Sequence, residues 1–364
     1  MLMYYEICYE QRHEINWTES PMGIKMKDVV LYHAMCTDGL FAAHAHYLKY
    51  GHVEGTDPTY YVPVGYTGLV DKSADEIVAT LLGDIPGLDQ RHVYILDFSF
   101  SPFILELMAS KCGRVTLLDH HRSASDDFAK YYGIDEVDGI VKYSPLPNLD
   151  VTFDMSRSGA MMSFNHFFPD VLDENVPMYF QWVQDRDLWL FKYERTKDFA
   201  AGIRWHTADL RFKDHKCFQK LNYILECELK DVLTHGSVLV QNLKDRVNRE
   251  KKNGYKQVWI AGRKMAFINA ALDIASELGN SIVLDGNVDI AVIYVVAPGR
   301  SKETRSDLPK VLCSVRSTDY VDSLFFAKHF GGGGHAQANG CSLTLAQLNT
   351  ILGSKGNLPL DSIK

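Results

Sequence analysis

The regular alternation of apolar runs and helix-forming segments restricts the fold of this chain more than any other feature. Short runs rich in β-branched and aromatic residues lie at 28–33, 59–66, 92–98 and 114–121, with helix-forming segments between them. The segment at 101–113 begins with serine and proline and ends with glycine, which are start and stop signals of a helix. Strands that alternate with helices predict an α/β fold with a doubly wound, mostly parallel sheet.

The middle of the chain is predicted to be helical. Helices are expected at 158–168 and 175–189, where the spacing of Trp182 and Trp189 is typical of core residues on one helix face. The polar, amphipathic run at 217–252 lacks strand signals, so we interpret it as a helix that connects two domains.

The character of the sequence changes after this linker helix. A hairpin from 257, a helix that ends at Leu278, strands at 289–298 and 309–317 and a helix at 319–330 predict a second, smaller α/β domain. The predicted division of the chain is a larger domain at 1–216, a linker helix at 217–254 and the smaller domain at 255–364.

Charge and cysteine usage limit the class of protein. The net charge of −8 disfavours a protein that coats long nucleic acids, which needs many basic contacts. The seven cysteines include no CxxC pair, which indicates a reduced, intracellular protein. Because the first residues lack the basic and apolar regions of a signal peptide and no apolar run could span a membrane, we expect a cytoplasmic protein that does not contact membranes.

Acidic and histidine side chains follow three of the predicted strands. His33 ends the first strand, Asp97 follows the third, and the triplet 119–121, Asp-His-His, follows the fourth. In open parallel sheets, ligands bind outside the carboxyl ends of the strands, so these side chains are expected to meet. Carboxylate and imidazole ligands together suit a divalent metal such as manganese. The triplet alone is equally compatible with a capped strand end that carries surface histidines.

Five segments of the chain resemble the motifs of the DHH phosphoesterases and of their companion DHHA1 domain. The resemblance extends over about residues 28–341 in the family's order, and it implies the fold, the pairing of domains and manganese-dependent hydrolysis of phosphoesters. Family substrates include short oligonucleotides, cyclic dinucleotides and single-stranded ends, so the chain is similar to oligoribonucleases (nanoRNases) and related exonucleases. The matching segments are YHAMCTDGLFAA, ILDF, LLDHH, DRDLW and FGGGGHAQANG (330–340), the last preceded by SVRS (314–317).

With this resemblance, a site for two manganese ions is predicted, for which magnesium or cobalt are alternatives. Asp97 is expected to bridge the ions and to be essential for catalysis. His33 and Asp38 would complete the coordination of one ion, and His120 and Asp187 that of the other.

Four more residues of the larger domain receive predicted roles. Asp119 is expected either to bind metal or to orient a histidine. His121 is expected to act in catalysis by contacting the substrate phosphate or the leaving group. Cys36 occupies a position where many relatives have an acid, so one metal site is expected either to be weaker or to be served by a thiolate. Asp185 competes with Asp187 for the role in the DRDLW motif, and we favour Asp187.

The smaller domain is predicted to bind the substrate. Successive glycines let a backbone approach a phosphate, and arginine offers it two parallel hydrogen bonds. The alternative for the glycine run is a flexible linker. The predicted substrate-binding residues are Arg316, Ser317, Gly332, Gly333, Gly334 and His335.

Three functions are compatible with these features. The first is an enzyme, a manganese-dependent phosphodiesterase that acts on short single-stranded oligonucleotides or nucleotide ends. The second is a phosphatase of a phosphorylated mononucleotide or of pyrophosphate. The third is a non-catalytic cyclic-nucleotide-binding protein with a decayed metal site. A homodimer is compatible with each of them.

Overall fold

The structure is a computed structural model, and it describes residues 28–51, 59–65, 69, 72–134, 139–210, 212–298 and 308–363. The chain divides into two compact units, with the boundary between Val240 and Gln241. Among the described residues, no helix combines the length and the apolar character needed to cross a bilayer.

A six-stranded sheet forms the centre of the first unit. The strand order is β2-β1-β3-β4-β6-β5, and all neighbours are parallel except β5 and β6, which form an antiparallel hairpin. The predicted mostly parallel sheet is therefore confirmed. The strands are β1 (Asp28–His33), β2 (Tyr60–Val64), β3 (His92–Leu96), β4 (Arg114–Asp119), β5 (Ile140–Leu146) and β6 (Leu149–Asp154).

Helices cover both faces of this sheet, because successive strand residues point to opposite sides. Val30 and Tyr32 of β1 belong to one hydrophobic core, and Val29 and Leu31 belong to the other. The doubly wound arrangement is thus confirmed. The helices of this unit before its connection to the second are α1 (Thr37–Tyr50), α2 (Ala74–Leu82), α3 (Pro102–Lys111), α4 (Arg122–Tyr132), α5 (Gly159–Phe167), α6 (Met178–Asp187) and α7 (Thr196–His206).

Several boundaries differ from the sequence-based expectation. The helix predicted at 175–189 ends at Asp187, and Trp189 follows it with a φ of +58°, which no α-helix allows. Trp189 therefore does not share a helix face with Trp182. The helices α4 and α7 and the β5–β6 hairpin were not predicted. Tyr66, the predicted end of the second strand, lies outside the described residues.

The predicted linker helix is two helices rather than one. The helix α8 (His215–Cys227) ends where Glu228 adopts a φ of −112°, and α9 (Leu229–Asn253) begins directly afterwards. Because neither glycine nor proline stands at this break, the sequence shows no stop signal there. The boundary between the two units lies within α9.

The second unit contains a seven-stranded mixed sheet with the order β11-β12-β10-β9-β8-β7-β13. Its helices are α10 (Ala275–Leu284), α11 (Leu324–His329) and α12 (Leu345–Gly353), so the helix expected to end at Leu278 continues to Leu284 and the helix expected at 319–330 is shorter. The unit begins at Gln241, whereas the sequence predicted a smaller α/β domain that begins at 255. Its strands are β7 (Lys256–Ile260), β8 (Arg263–Asn269), β9 (Ile290–Ala297), β10 (Lys310–Ser317), β11 (Gly333–Gly334), β12 (Ala338–Leu343) and β13 (Asn357–Leu358).

Candidate metal centre

The candidate metal centre lies at the carboxyl edge of the first sheet. His33 ends β1, Asp97 directly follows β3, and Asp119 ends β4. The chain leaves β1 toward β2 on one side and continues from β3 to β4 on the other, so the order of strands reverses between β1 and β3. Such a switch point opens a crevice at the carboxyl ends of the strands, where α/β proteins bind ligands.

Three carboxylates surround the ring of His120. The Nε2 atom of His120 lies 3.2 Å from Asp97 Oδ1, 3.5 Å from Asp187 Oδ2 and 3.6 Å from Asp38 Oδ2. Asp38, Asp97 and His120 are almost completely buried, whereas the side chain of Asp187 is 27% exposed. The cluster therefore has a buried interior and reaches solvent at Asp187.

Asp97 is the most constrained member of this cluster. Its φ is +55°, which places a non-glycine residue in the left-handed region. Among the described residues, neither of its buried carboxylate oxygens accepts a hydrogen bond. Burial by itself would raise the pKa of Asp97, but the ring nitrogens of His120 and His33 lower it below its ordinary value. Asp97 is thus a buried carboxylate whose Oδ1 lies 3.2 Å from His120 Nε2 and whose Oδ2 lies 3.5 Å from His33 Nδ1.

The charges in this cluster favour a cation. Burial, together with the charge of Asp97, raises the pKa of Asp38 well above its ordinary value, and the pKa of Asp187 is raised for the same reasons. Burial lowers the pKa of His120, but the surrounding carboxylates raise it far more. Repulsion between closely packed carboxylates raises their pKa and keeps them protonated. A divalent ion that displaces these protons offsets the repulsion. The donor set, with buried Asp97 oxygens that lack hydrogen bonds, therefore fits a divalent metal.

The first turn of helix α5, which is distant in sequence, positions the carboxylate of Asp38. The backbone N–H groups of Gly159 and Ala160, in the first turn of α5, donate to the Asp38 carboxylate at 2.6 and 3.0 Å. A Cβ atom on Gly159 would lie 2.5 Å from Cβ of Asp97, so only glycine fits there. This glycine was not predicted from the sequence. The signal was a serine and a glycine, Ser158 and Gly159, at a helix start.

Asp119 holds His121. The Nδ1 atom of His121 lies 2.7 Å from Asp119 Oδ1, which also accepts the backbone N–H of His120 at 2.8 Å. Burial lowers the pKa of His121, but Asp119 raises it above its ordinary value. The second carboxylate oxygen of Asp119 is buried without a hydrogen bond, and Asp97, Asp119 and His121 offer donor atoms within 4.8 Å of one another. Asp119 therefore orients the ring of His121, and its position is also compatible with binding a metal.

Cys36 lies beside the same cluster. Its thiol, the ring of His33 and the Asp97 carboxylate offer donor atoms within 4.8 Å of one another. Burial, and then the neighbouring carboxylates, raise the pKa of Cys36 well above its ordinary value. A bound metal would have to displace this proton before the thiolate could become a ligand.

The two aspartates that compete in the DRDLW segment have different surroundings. The Asp185 carboxylate accepts the backbone N–H groups of Lys192 at 2.7 Å and Tyr193 at 3.2 Å, and also the hydroxyl of Thr196. Asp187 is the one that approaches His120. Asp185 thus holds the segment that follows α6, which we call the post-α6 loop (residues 188–195).

The predicted substrate-binding residues all belong to the second unit. Arg316, in β10, donates to the hydroxyl of Ser276 at 2.6 Å and to the backbone oxygen of Val315 at 2.7 Å. Ser317 is buried, and its hydroxyl donates to the backbone oxygen of Val321 at 2.6 Å. The glycines form an ordered hairpin rather than a linker, since β11 contains Gly333 and Gly334, and both pair with β12. His335 follows in the turn of this hairpin, where its backbone N–H donates to the Ala338 oxygen at 2.9 Å.

The chain is similar to several known proteins. An uncharacterized protein of Acanthamoeba polyphaga mimivirus is 25% identical over 347 residues, which are 92% of this chain and 70% of the viral protein. Oligoribonuclease NrnB of Bacillus subtilis is 25% identical over 236 residues, 64% of this chain and 53% of that enzyme. A solved DHH domain, from a protein described as a member of a family of ribosomal proteins, is 14% identical with a TM-score of 0.49, and 93% of this chain and 84% of that chain are covered. No family model matches the chain.

The motifs, the carboxylate–histidine cluster and the relationship to NrnB define the class as metal-dependent phosphoester hydrolases. Within that class, the motifs of the chain resemble those of the DHH/DHHA1 phosphoesterases, and its 25% identity to NrnB accords with this resemblance. The match to NrnB spans about half of that enzyme's length.

Proposed function

We propose that this protein is a manganese-dependent phosphodiesterase that hydrolyses short oligonucleotides or nucleotide ends. The observation that carries the proposal is the set of three carboxylates within 3.6 Å of His120 Nε2. Buried acids are costly without a compensating charge, and the hydrolysis of a phosphodiester requires positive charge next to the phosphate. The likeness to an oligoribonuclease supports the substrate class.

Five residues are proposed to hold two ions. His33 and Asp38 would bind one ion, His120 and Asp187 the other, and Asp97 would bind both. Bound divalent ions would lower the pKa of a water molecule and offset the charge of the phosphoryl oxygens. Manganese suits this mixture of carboxylate oxygen and imidazole nitrogen, and magnesium and cobalt are the alternatives to test.

His121 is proposed as the residue that handles a proton. Its Nδ1 atom lies 2.7 Å from Asp119 Oδ1, so Asp119 sets the orientation of the ring at the edge of the metal centre. The neighbouring Asp119 raises the pKa of His121 above its ordinary value, which favours the protonated ring and suits donation to a phosphoryl or leaving oxygen. Asp119 would then be a positioning residue that holds the ring in place.

The second unit is proposed to bind the substrate through Arg316, Ser317, the glycine hairpin and His335. We assign residues 1–216 as a DHH catalytic domain, 217–254 as the linker and 255–364 as a DHHA1 domain. The homodimer and the cytoplasmic location remain predictions.

The test is a substrate panel with purified protein from which metal has been removed by chelation. We expect no turnover without metal and restored turnover with manganese. Dinucleotides and short single strands should be cleaved faster than long single strands, and duplexes hardly at all, since a net charge of −8 repels long polyanions. The panel should also contain a cyclic dinucleotide, pyrophosphate and 3′-phosphoadenosine 5′-phosphate.

Asp97→Asn is the matched inactive control, because it keeps the shape of the side chain and removes its charge. Full activity in metal-free protein, or equal activity in Asp97→Asn, would contradict the proposal. Exclusive cleavage of the phosphomonoester or of pyrophosphate would favour the phosphatase alternative. Rates that rise steadily with strand length would favour a processive exonuclease.

A further inference from the structure

The post-α6 loop holds two aromatic residues in an unusual backbone conformation directly after Asp187. Trp189 has a φ of +58° and Phe191 a φ of +50°. For bulky residues this left-handed conformation is strained, and it persists only where the surroundings enforce it. Strained residues cluster at functional sites, so the loop is a candidate for one.

The surroundings that enforce this conformation belong to Asp185. Its backbone oxygen accepts the N–H groups of Leu190 at 2.9 Å and Phe191 at 3.4 Å. Its carboxylate accepts the N–H groups of Lys192 and Tyr193. One buried aspartate thus holds four successive residues of the loop.

Cationic side chains contact both rings. The guanidinium carbon of Arg186 lies 4.1 Å from the centre of the Trp189 ring, and Nζ of Lys197 lies 4.3 Å from that of Phe191. The two rings are 4.9 Å apart at an angle of 74°. Among the described residues, neither ring belongs to the two cores of the first unit, and both are partly exposed. The rings are therefore presented at the surface rather than used to fill the interior.

We propose that Trp189, Phe191 and Arg186 form a platform on which a nucleobase of the substrate stacks. Aromatic rings and guanidinium planes are the surfaces on which proteins stack unpaired bases, and cations beside them attract the attached phosphate. Trp189 is two residues from Asp187, so their Cα atoms are at most about 7 Å apart, within the reach of one nucleotide. The inference rests on the proposed function and specifies its substrate as one that carries an unpaired base.

The test compares a dinucleotide with analogues in which either base is replaced by hydrogen, using the full chain loaded with manganese. Stacking on an aromatic side chain corresponds to about five- to a hundredfold in binding. We expect Trp189→Ala to lower kcat/KM for the dinucleotide by such a factor, mainly through KM. For one of the two abasic analogues, Trp189→Ala should lower kcat/KM less than twofold. Trp189→Phe keeps an aromatic ring, so its kcat/KM for the dinucleotide should be close to that of the wild type.

Trp205→Ala is the matched control, because Trp205 is an exposed tryptophan of α7 whose ring contacts His235. This variant should leave kcat/KM unchanged for the dinucleotide and for its abasic analogues. An equal loss for the dinucleotide and both analogues in Trp189→Ala, or no loss at all, would overturn the platform.

A binding measurement separates this inference from the proposed function. With chelator present, AMP but not ribose 5-phosphate should change the tryptophan fluorescence of the wild type, and Trp189→Phe should abolish the change. If the wild type hydrolyses no phosphodiester, the proposed function fails, while this difference between AMP and ribose 5-phosphate still supports the platform. If AMP also has no effect, the platform is wrong.

Discussion

Asp97 combines an unusual backbone with the central position in the candidate metal centre. Its left-handed conformation is fixed by the hydrogen bond from its N–H to the Leu118 oxygen at 2.9 Å and by close contact with Gly159. A residue held in this way offers its carboxylate in one orientation before any ligand arrives. Such preorganisation is what a bridging ligand requires.

Asp185 and Asp187 should respond differently to the same substitution. Asp187→Asn removes a carboxylate whose pKa is raised by burial and by Asp97, so the metal-free protein should be at least as stable as the wild type. Its manganese binding and turnover should be lost. Asp185→Asn should lower the free energy of unfolding by about 1–3 kcal/mol, because a buried acceptor of several hydrogen bonds is weakened.

The two variants are compared in three measurements. Thermal unfolding in chelator gives their stability, titration with manganese gives their metal binding, and turnover gives their activity. If Asp185→Asn loses metal while Asp187→Asn only loses stability, the two roles have been exchanged.

Site residues at the ends of strands could be predicted from the sequence. Residues whose role depends on packing against a distant part of the chain could not. His33, Asp97 and Asp119 follow apolar runs, and parallel strands bring their ends together without further information. Gly159 is required because another side chain occupies the space where its Cβ would be. A contact between distant parts of the chain leaves no local pattern in the sequence.

At the scale of elements, the strands of the first sheet could be predicted more accurately than the helix ends. The third strand was expected at 92–98 and is His92–Leu96, because continuous apolar runs identify buried strands. The end of α6 depends on Asp185, whose hydrogen bonds turn the chain away from the helix axis. The break between α8 and α9 likewise occurs within a uniformly polar run.

The start of β3 predicts a pH dependence of stability. Burial lowers the pKa of His92 to about 4, and its Nε2 atom lies 2.8 Å from the Thr116 hydroxyl. His92 is therefore neutral in the folded protein, whereas the unfolded chain takes up a proton below its ordinary pKa of about 6.5. The unfolded state binds more protons between these values, so stability is lost as the pH falls from about 6.5 toward 4, by on the order of 2 kcal/mol.

His92→Gln cannot titrate and should remove this part of the slope while the amide still reaches Thr116. Urea unfolding of wild type and variant at pH 7.5, 6 and 5, with chelator in every sample, measures the difference. Parallel curves for the two proteins would show that His92 is protonated in the fold as easily as in the unfolded chain.

At the scale of the whole molecule, the candidate metal centre joins segments that are far apart in the sequence. His33, Asp97, His120 and Asp187 come from three strand ends and one helix end of the first unit. Metal ions bound to these residues would stabilise only the folded state, by an amount that grows with metal concentration. We expect manganese to raise the Tm of the wild type and to slow its digestion by a protease, with little effect on Asp97→Asn.

The same comparison can be made with calcium, which prefers all-oxygen sites with more ligands and should protect less. A Tm that is unchanged by manganese in the wild type would contradict a resident metal at this site.

The close contact between Gly159 and Asp97 also limits the order in which this protein could change over evolutionary time. A methyl group at position 159 would collide with the Cβ atom of Asp97, so the aspartate has to be replaced by glycine, which lacks that atom, before the glycine at 159 can vary without a shift of the backbone. A lineage that abandons the chemistry would therefore change position 97 first and position 159 afterwards. In this chain both Gly159 and Asp97 are present, so neither of these two substitutions has occurred.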